Sequence, residues 1–539
     1  MDVSTDRRKF LAVTGSSAAA IVLGLGPYTE KAYARSRLAD YPFTLGIASG
    51  DPTPDGVVLW TRLAPEPLAR DGKGGMPDAK VAVRWQVADD ENFRRVVRQG
   101  TTWARPELAH TVHVEVDGLR PHRWYYYRFE AGSHVSPVGR TRTTPAPGDQ
   151  VAQLAFAFAS CQAPDGGHYT AYQHMAEEDL DLVLHLGDYI YENPGPAVTL
   201  DDYRNRHAEY RLDPHLQATH AAFPWVVTWD DHDVDNDYAG YVPWSGSVTK
   251  TVEDFLVRRA NAYRAFYEHL PLRRSSVPKG PQMRIYRSIG YGRLVDFSVL
   301  DTRQYRDDQV PDGSPDRVDP SRSILGQEQE RWLHRSLGRS RATWKILAQQ
   351  IQVTQIDYDL DDGESYYMDA WDGYPATRDR LFDAIVGQNV ENFGIIAGDL
   401  HQSFASDLLS DFRDPDSRIL GVEHVGTSIS SSGDGTDTTP GIEEVMAANP
   451  HVKFNNAQRG YVRCVVTPRL WHTDYRVVPY ISTPGAEIYT RAAFVTEAGN
   501  PGLHQVADNP VPSRPPETAS TDLPNSEAMR RGAENTDGN

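Results

Sequence analysis

Short clusters of metal-binding and proton-transferring residues punctuate the middle of this 539-residue chain. The first is Cys161, which closes the apolar run from Phe156 to Ser160 and precedes the polar Gln162. A thiolate is a soft, strongly donating ligand, so a cysteine that joins carboxylates and histidines points to a transition metal. The competing reading is a buried, inert thiol. The second cluster is Gly187-Asp188-Tyr189-Ile190-Tyr191-Glu192. A carboxylate directly after a glycine can bridge two metals, because its two oxygens reach both ions. Tyr191 can return to the same ion as a phenolate, and thiolate with phenolate favours Fe(3+) over Zn(2+) or Mg(2+). Alternatively Asp188 caps a helix and Tyr191 packs. In Asp230-Asp231-His232-Asp233, Asp231 could bind a second metal, and His232 could donate a proton or hold a phosphoryl oxygen. An acidic run of this kind is otherwise a solvated loop, but Trp229, Tyr238, Tyr241 and Trp244 around it favour a shaped pocket. In Gly398-Asp399-Leu400-His401 the carboxylate and imidazole stand two residues apart, projecting together in extended chain, so two adjacent metals can each take one.

The elements that must position these residues are apolar strands. Residues 154–158, 182–186, 224–229, 294–300, 344–348 and 392–397 each read as a buried strand. They end in turn at Cys161, Asp188, Asp230-Asp231-His232, Asp301-Thr302-Arg303, Gln349-Gln350 and Asp399-Leu400-His401. Sheets of α/β proteins place their ligands at such carboxyl ends. Helical stretches fill the gaps, notably Ala171 to Asp179, Val252 to His269 and Gly326 to Leu337. Residues 40–147 read instead as an all-β domain, with alternating runs at 57–62, 81–87, 110–116 and 124–129. Val116 to Pro121 followed by Trp124 to Tyr127 suggests the tyrosine corner of fibronectin-like sandwiches. Pro145 to Gly148 reads as a linker, residues 150–490 as the catalytic domain, and 491–539 as a polar, flexible tail.

Composition, 39% hydrophobic and 24% charged, is that of a soluble globular protein. The formal charge of −19 argues against binding nucleic acid or anionic lipid through a generic basic surface. Two cysteines make no disulfide framework, and Cys464 reads as an ordinary strand residue. Residues 1–34 carry Arg7-Arg8, the apolar run Ala18 to Leu25 and the small-residue site Ala32-Tyr33-Ala34. Together these make a twin-arginine export signal, with Sec export as the alternative, and predict a secreted or wall-associated protein. The apolar run is too short for a membrane span. Cleavage after Ala34 removes four basic and three acidic groups and leaves a charge of −20.

Taken in order, Phe156 to Gln162, Gly187 to Glu192, Trp229 to Asp233, Leu300 to Arg306 and Ala397 to His401 resemble the motif set of the PhoD family. These are alkaline phosphatases and phosphodiesterases of the calcineurin-like metallophosphoesterase superfamily, and the similarity runs over roughly residues 40–490. The resemblance implies an α/β fold, a four-layer αββα sandwich preceded by a small fibronectin-like β-domain. It implies Fe(3+) and Ca(2+), with Cys161, Asp188, Tyr191 and His401 on iron and Asp188, Asp231 and Asp399 on calcium. His232 would stand beside the phosphate, Arg303 would clamp a phosphate oxygen, and Gln350 takes a place where many relatives have a histidine. The family often has Glu where this chain has Asp233. The expected substrates are phosphate esters, and the expected partner during export is the twin-arginine translocase. A phospholipase D acting on phospholipids through the same site, and an exported binding protein with a degenerate site, are the alternatives.

Overall fold

The computed structural model describes residue 38, residues 40–361 and residues 363–513, so the expected signal of residues 1–34 lies outside the described residues. The apolar strands assemble into two sheets that share one core. In a ten-stranded sheet Leu154–Ala159, Leu182–His185 and Pro224–Val227 run parallel, and Arg459–Val466 pairs antiparallel on the other side of Leu154–Ala159. In a seven-stranded sheet Val295–Val299, Trp344–Ala348, Phe393–Ala397 and Ile419–Val425 are parallel neighbours.

Strand alternation sends side chains to two different cores. Phe156, Phe158, Leu182, Leu184 and Val226 meet Phe297, Ile346 and Ile396 of the facing sheet. Ala157, Ala159, Val183 and Val227 point the other way, onto the helices Thr170–Met175, Leu200–Arg211, Pro214–Ala222 and Val252–His269. On the far side, Leu347 and Ile395 pack beneath Gly326–Arg339 and Pro375–Gly387. Each of the two sheets thus has one face in the shared core and the other against helices. Among the described residues no helix is long and apolar enough to cross a membrane.

Two expected boundaries differ. The alternating strands Val81–Ala88, Val96–Ala104 and Trp124–Ala131 do form a separate small sheet. There the Tyr125 hydroxyl accepts a hydrogen bond from Arg120 N at 2.9 Å. Ile47–Thr53, Gly56–Arg62 and Thr111–Val116, however, extend the ten-stranded sheet, with Ser49 opposite Pro224 and Gly50 opposite Trp225. The described residues from Leu38 onward accordingly form one compact unit that runs across the expected linker near 148. The physical reason is visible in Gly56–Arg62, which is buried at every position, whereas Trp124–Ala131 alternates. The expected tail at 491–539 also begins too early. Tyr489–Glu497 and Asn500–Asp508 are paired strands of the same sheet, anchored by Ala492 and Phe494 in the inter-sheet core. Residues 514–539 lie outside the described residues.

Candidate metal centre

At the carboxyl ends of these strands the backbone turns sharply. Cys161, Asp188, Asp399 and His401 adopt left-handed conformations, with φ of 58°, 52°, 68° and 54°. Such conformations are uncommon outside glycine and cluster at functional sites. Gly187 and Gly398 allow the strand ends to close on one another: a Cβ on the first would strike Asp230, and one on the second would strike Ser160. Cys161 N donates to Gly187 O at 3.2 Å and Gln162 N to Asp188 O at 3.2 Å, locking the first two turns together.

Two sets of ligand atoms result, each lying within 4.8 Å of one another: Cys161, Asp188 and His401, and Asp188, Asp230 and Asp231. Asp188 belongs to both. Tyr191 borders the first set, its hydroxyl 2.9 Å from His401 Nε2. Within the protein, Asp188 Oδ1, Asp230 Oδ2 and Asp399 Oδ2 are buried without a hydrogen-bond partner. Burial, and then the Asp188 and Asp399 charges, push the Cys161 thiol well up. Burial and the neighbouring carboxylates Asp230 and Asp231 do the same to Asp399, and burial raises Asp188 despite His232. Unpaired carboxylate oxygens gathered this closely fit bound cations, which supply the positive charge that the fold withholds. Burial, followed by Arg459 and His232, holds His401 well below the ordinary imidazole range, and neutral imidazole is the ligating form.

Beside the second set stands a charged network. Arg303 is fully buried; its Nε donates to Asp230 Oδ1 at 2.5 Å, Nη1 donates to Asp369 Oδ1 at 2.7 Å, and Nη2 lies 3.3 Å from Asp231 Oδ1. The guanidinium expected on a phosphate oxygen is thus engaged by three carboxylates, because burying it requires counter-charge on every side. Asp231 Oδ2 accepts from Asp237 N at 2.7 Å. His232 is oriented by Glu192, whose Oε2 lies 2.7 Å from Nδ1. Asp233 accepts from Tyr189 N, Ile190 N and Asp230 N, so the shorter acid braces the Asp188 turn. Burial pushes Asp233 up to about 8 and Asp230 to about 7, in spite of those donors and of Arg303. Gln350 bonds Thr302, Thr228 and Leu300 and serves as a buried brace between strand ends. Of the aromatic run, Tyr238 is core, hydrogen-bonded to Tyr263 at 3.1 Å, whereas Tyr241 is exposed.

Of the expected metal residues, Cys161, Asp188 and His401 fall in the first set and Asp231 in the second, Tyr191 borders the first, and Asp399 falls in neither set, although the charges of Asp230 and Asp231 act on it. Sequence reasoning missed Asp230, which joins Asp231 in the second set, and missed Glu192 although it lay within a quoted motif. Asp369 and Asp237 come from loops that carry no strand signal.

The PhoD-like phosphatase family profile matches residues 156–475, and that of the PhoD-like phosphatase N-terminal domain matches residues 29–145. Alkaline phosphatase D of Bacillus subtilis (strain 168) is 51% identical over 532 residues, covering 94% of this chain and 90% of that protein. A solved structure of PhoD superimposes with a TM-score of 0.87 at 49% identity, covering 95% of this chain and 99% of the other.

Proposed function

The chain belongs to the PhoD-like phosphatase family and is a phosphoric ester hydrolase, and we propose that it cleaves phosphomonoesters and phosphodiesters at an iron and calcium centre. The observation that carries this reading is Asp188 shared between two donor sets, one with a thiol and an imidazole, the other all carboxylate. Softness separates the two: Cys161, Tyr191 and His401 suit Fe(3+), whereas Asp231 and Asp399 suit Ca(2+), with Asp188 common to both. Bound cations would acidify a water and neutralise charge on the phosphoryl oxygens. Two sheets that share one core, each with helices on its other face, support reading the core as an αββα metallophosphoesterase sandwich.

The protein's own groups divide the remaining work. His232, aligned by Glu192, gives its proton to the departing alkoxide. Arg303 braces Asp230, Asp231 and Asp369 in place beside the second donor set. Export by the twin-arginine route rests on Arg7-Arg8 and the run that follows, and suits a metal bound in a folded chain. The assembled donor atoms speak against a degenerate site.

Elemental analysis of the purified protein, beside rates on p-nitrophenyl phosphate, bis-p-nitrophenyl phosphate and phosphatidylcholine, tests the reading. Iron and calcium in stoichiometric amounts with turnover of the first two substrates is the expected result. An iron-free protein with full activity would remove the iron assignment. Faster turnover of phosphatidylcholine than of either aryl phosphate would favour the phospholipase reading. Retention of an Arg7→Lys, Arg8→Lys double variant inside the cell tests the export route.

A further inference from the structure

The loop from Thr427 to Gly433 connects the two halves of the first donor set. On one side Ser430 N and Ser431 N approach Cys161 O at 3.4 and 3.3 Å, and Ser431 Oγ accepts from Ala163 N at 3.0 Å. On the other side Arg459, itself buried, donates to Gly433 O at 2.7 Å and to His401 O at 2.6 Å. Cys161 ends a strand of the ten-stranded sheet and His401 follows one of the seven-stranded sheet, so this loop is a clasp across the inter-sheet seam.

Within the clasp Ser432 alone turns its hydroxyl onto the imidazole, 2.7 Å from His401 Nδ1. Its backbone is left-handed, with φ of 74°, a conformation that serine rarely adopts. The Tyr191 hydroxyl meets the opposite ring nitrogen, Nε2, at 2.9 Å. Two proton arrangements satisfy both contacts, because each hydroxyl can donate or accept. A metal on Nε2 requires the one in which Nδ1–H donates to Ser432 Oγ and Nε2 carries no proton. A ligating histidine commonly donates its other N–H to a neighbouring acceptor, which fixes ring rotation and tautomer together.

We propose that Ser432 is a positioning residue for the metal centre, its strained backbone placing a hydroxyl that holds His401 in the Nδ1–H form with Nε2 toward the metal. The proposal rests on the reading of His401 as a ligand. It assigns Ser432 no contact with substrate.

The test uses the full chain with Ser432→Gly, Ser432→Ala and, as control, His401→Ala. Transition-metal content per chain is measured by elemental analysis after dialysis against graded EDTA. Thermal unfolding of the metal-free forms verifies folding. Both Ser432 variants should hold the transition metal about 10- to 100-fold more weakly than wild type. Glycine relieves the left-handed backbone while removing the hydroxyl, so a role in loop shape alone predicts that Ser432→Gly keeps the metal. Full retention by Ser432→Gly, with His401→Ala losing the metal, overturns the positioning role. Full retention by His401→Ala overturns the ligand reading beneath it. Nitrogen-15 spectra of histidine-labelled, metal-free protein give a second reading, in which an Nε2–H tautomer for His401 in the wild-type chain would also overturn the proposal.

Discussion

Glu192 Oε2 stands 2.7 Å from His232 Nδ1, and the ring of the intervening Tyr191 lies 4.3 Å from the His232 ring. One six-residue turn, Gly187 to Glu192, therefore supplies the shared carboxylate, the phenol and the orienting acid in sequence. Burial alone would lower His232, but Glu192, Asp188 and Asp231 facing it hold the imidazole well above its ordinary range. These charges favour the imidazolium, the form that can donate a proton.

A proton donor matters most where the leaving group is basic. His232→Asn should lower kcat on an alkyl phosphate by about 100- to 10,000-fold, and far less on p-nitrophenyl phosphate, whose leaving group departs without a proton. Glu192→Gln should show the same pattern at smaller size. Equal losses on both substrates would take the general-acid role away from His232.

Asp188→Asn should abolish activity while the chain stays folded. Because both donor sets include Asp188, the variant should bring down the content of both metals at once. A folded variant with full activity would sink the site assignment.

Arg303→Met should leave Asp230 buried without its cationic partner, while Asp369 keeps Arg306, and destabilise the protein by about 3–5 kcal/mol. Adding Asp230→Asn should recover part of that loss. A residue that only clamped phosphate would raise KM with the melting temperature unchanged, and that outcome would return Arg303 to the clamp role.

Beneath the Asp188 turn lies a group of histidines kept neutral. Burial holds His185 at about 3, and burial with Arg211 and Arg62 nearby holds His207 at about 3. Neither ring nitrogen of His207 has a hydrogen-bond partner within the protein, and the ring stacks on His269 at 4.9 Å. The unfolded chain protonates histidine near pH 6.5, so it binds more protons than the native state below that value. This stability is complete above about pH 6.5 and falls as the pH drops toward 3, by about 1.4 kcal/mol per pH unit for each such histidine. His207→Phe replaces two unpaired nitrogens with an apolar ring, so it should match or exceed wild-type stability at neutral pH. Between about pH 6 and 4 its urea-unfolding stability should fall more gently than wild type by that same slope. Identical slopes would show that His207 is solvated or paired in solution.

Much of this was legible in the chain. Trp344–Ala348 and Val252–His269 fall where the apolar run and the helical periodicity place them. The site residues were found because each follows an apolar strand. Sequence did not show that Asp230 joins Asp231 beside Asp188, since that depends on the turn after Val227. Asp369 and Ser432 were out of reach, because their roles arise from loops folded against residues 66 and 31 positions away in sequence. The pairing of Ile47–Thr53 with Pro224–Val227 was equally hidden, as periodicity marks a strand and says nothing of its distant neighbour.

That long-range pairing sets a timetable for synthesis. Phe158 takes Val462 as its cross-strand partner, and Asn500–Asp508 closes one side of the same sheet. At about 5–20 residues per second, the strand Leu154–Ala159 leaves the ribosome roughly 15–60 seconds before its second neighbour is made. Throughout that interval one edge of the central sheet stands open to other chains. The nascent protein is therefore most exposed to aggregation during translation, while Leu154–Ala159 waits for Arg459–Val466.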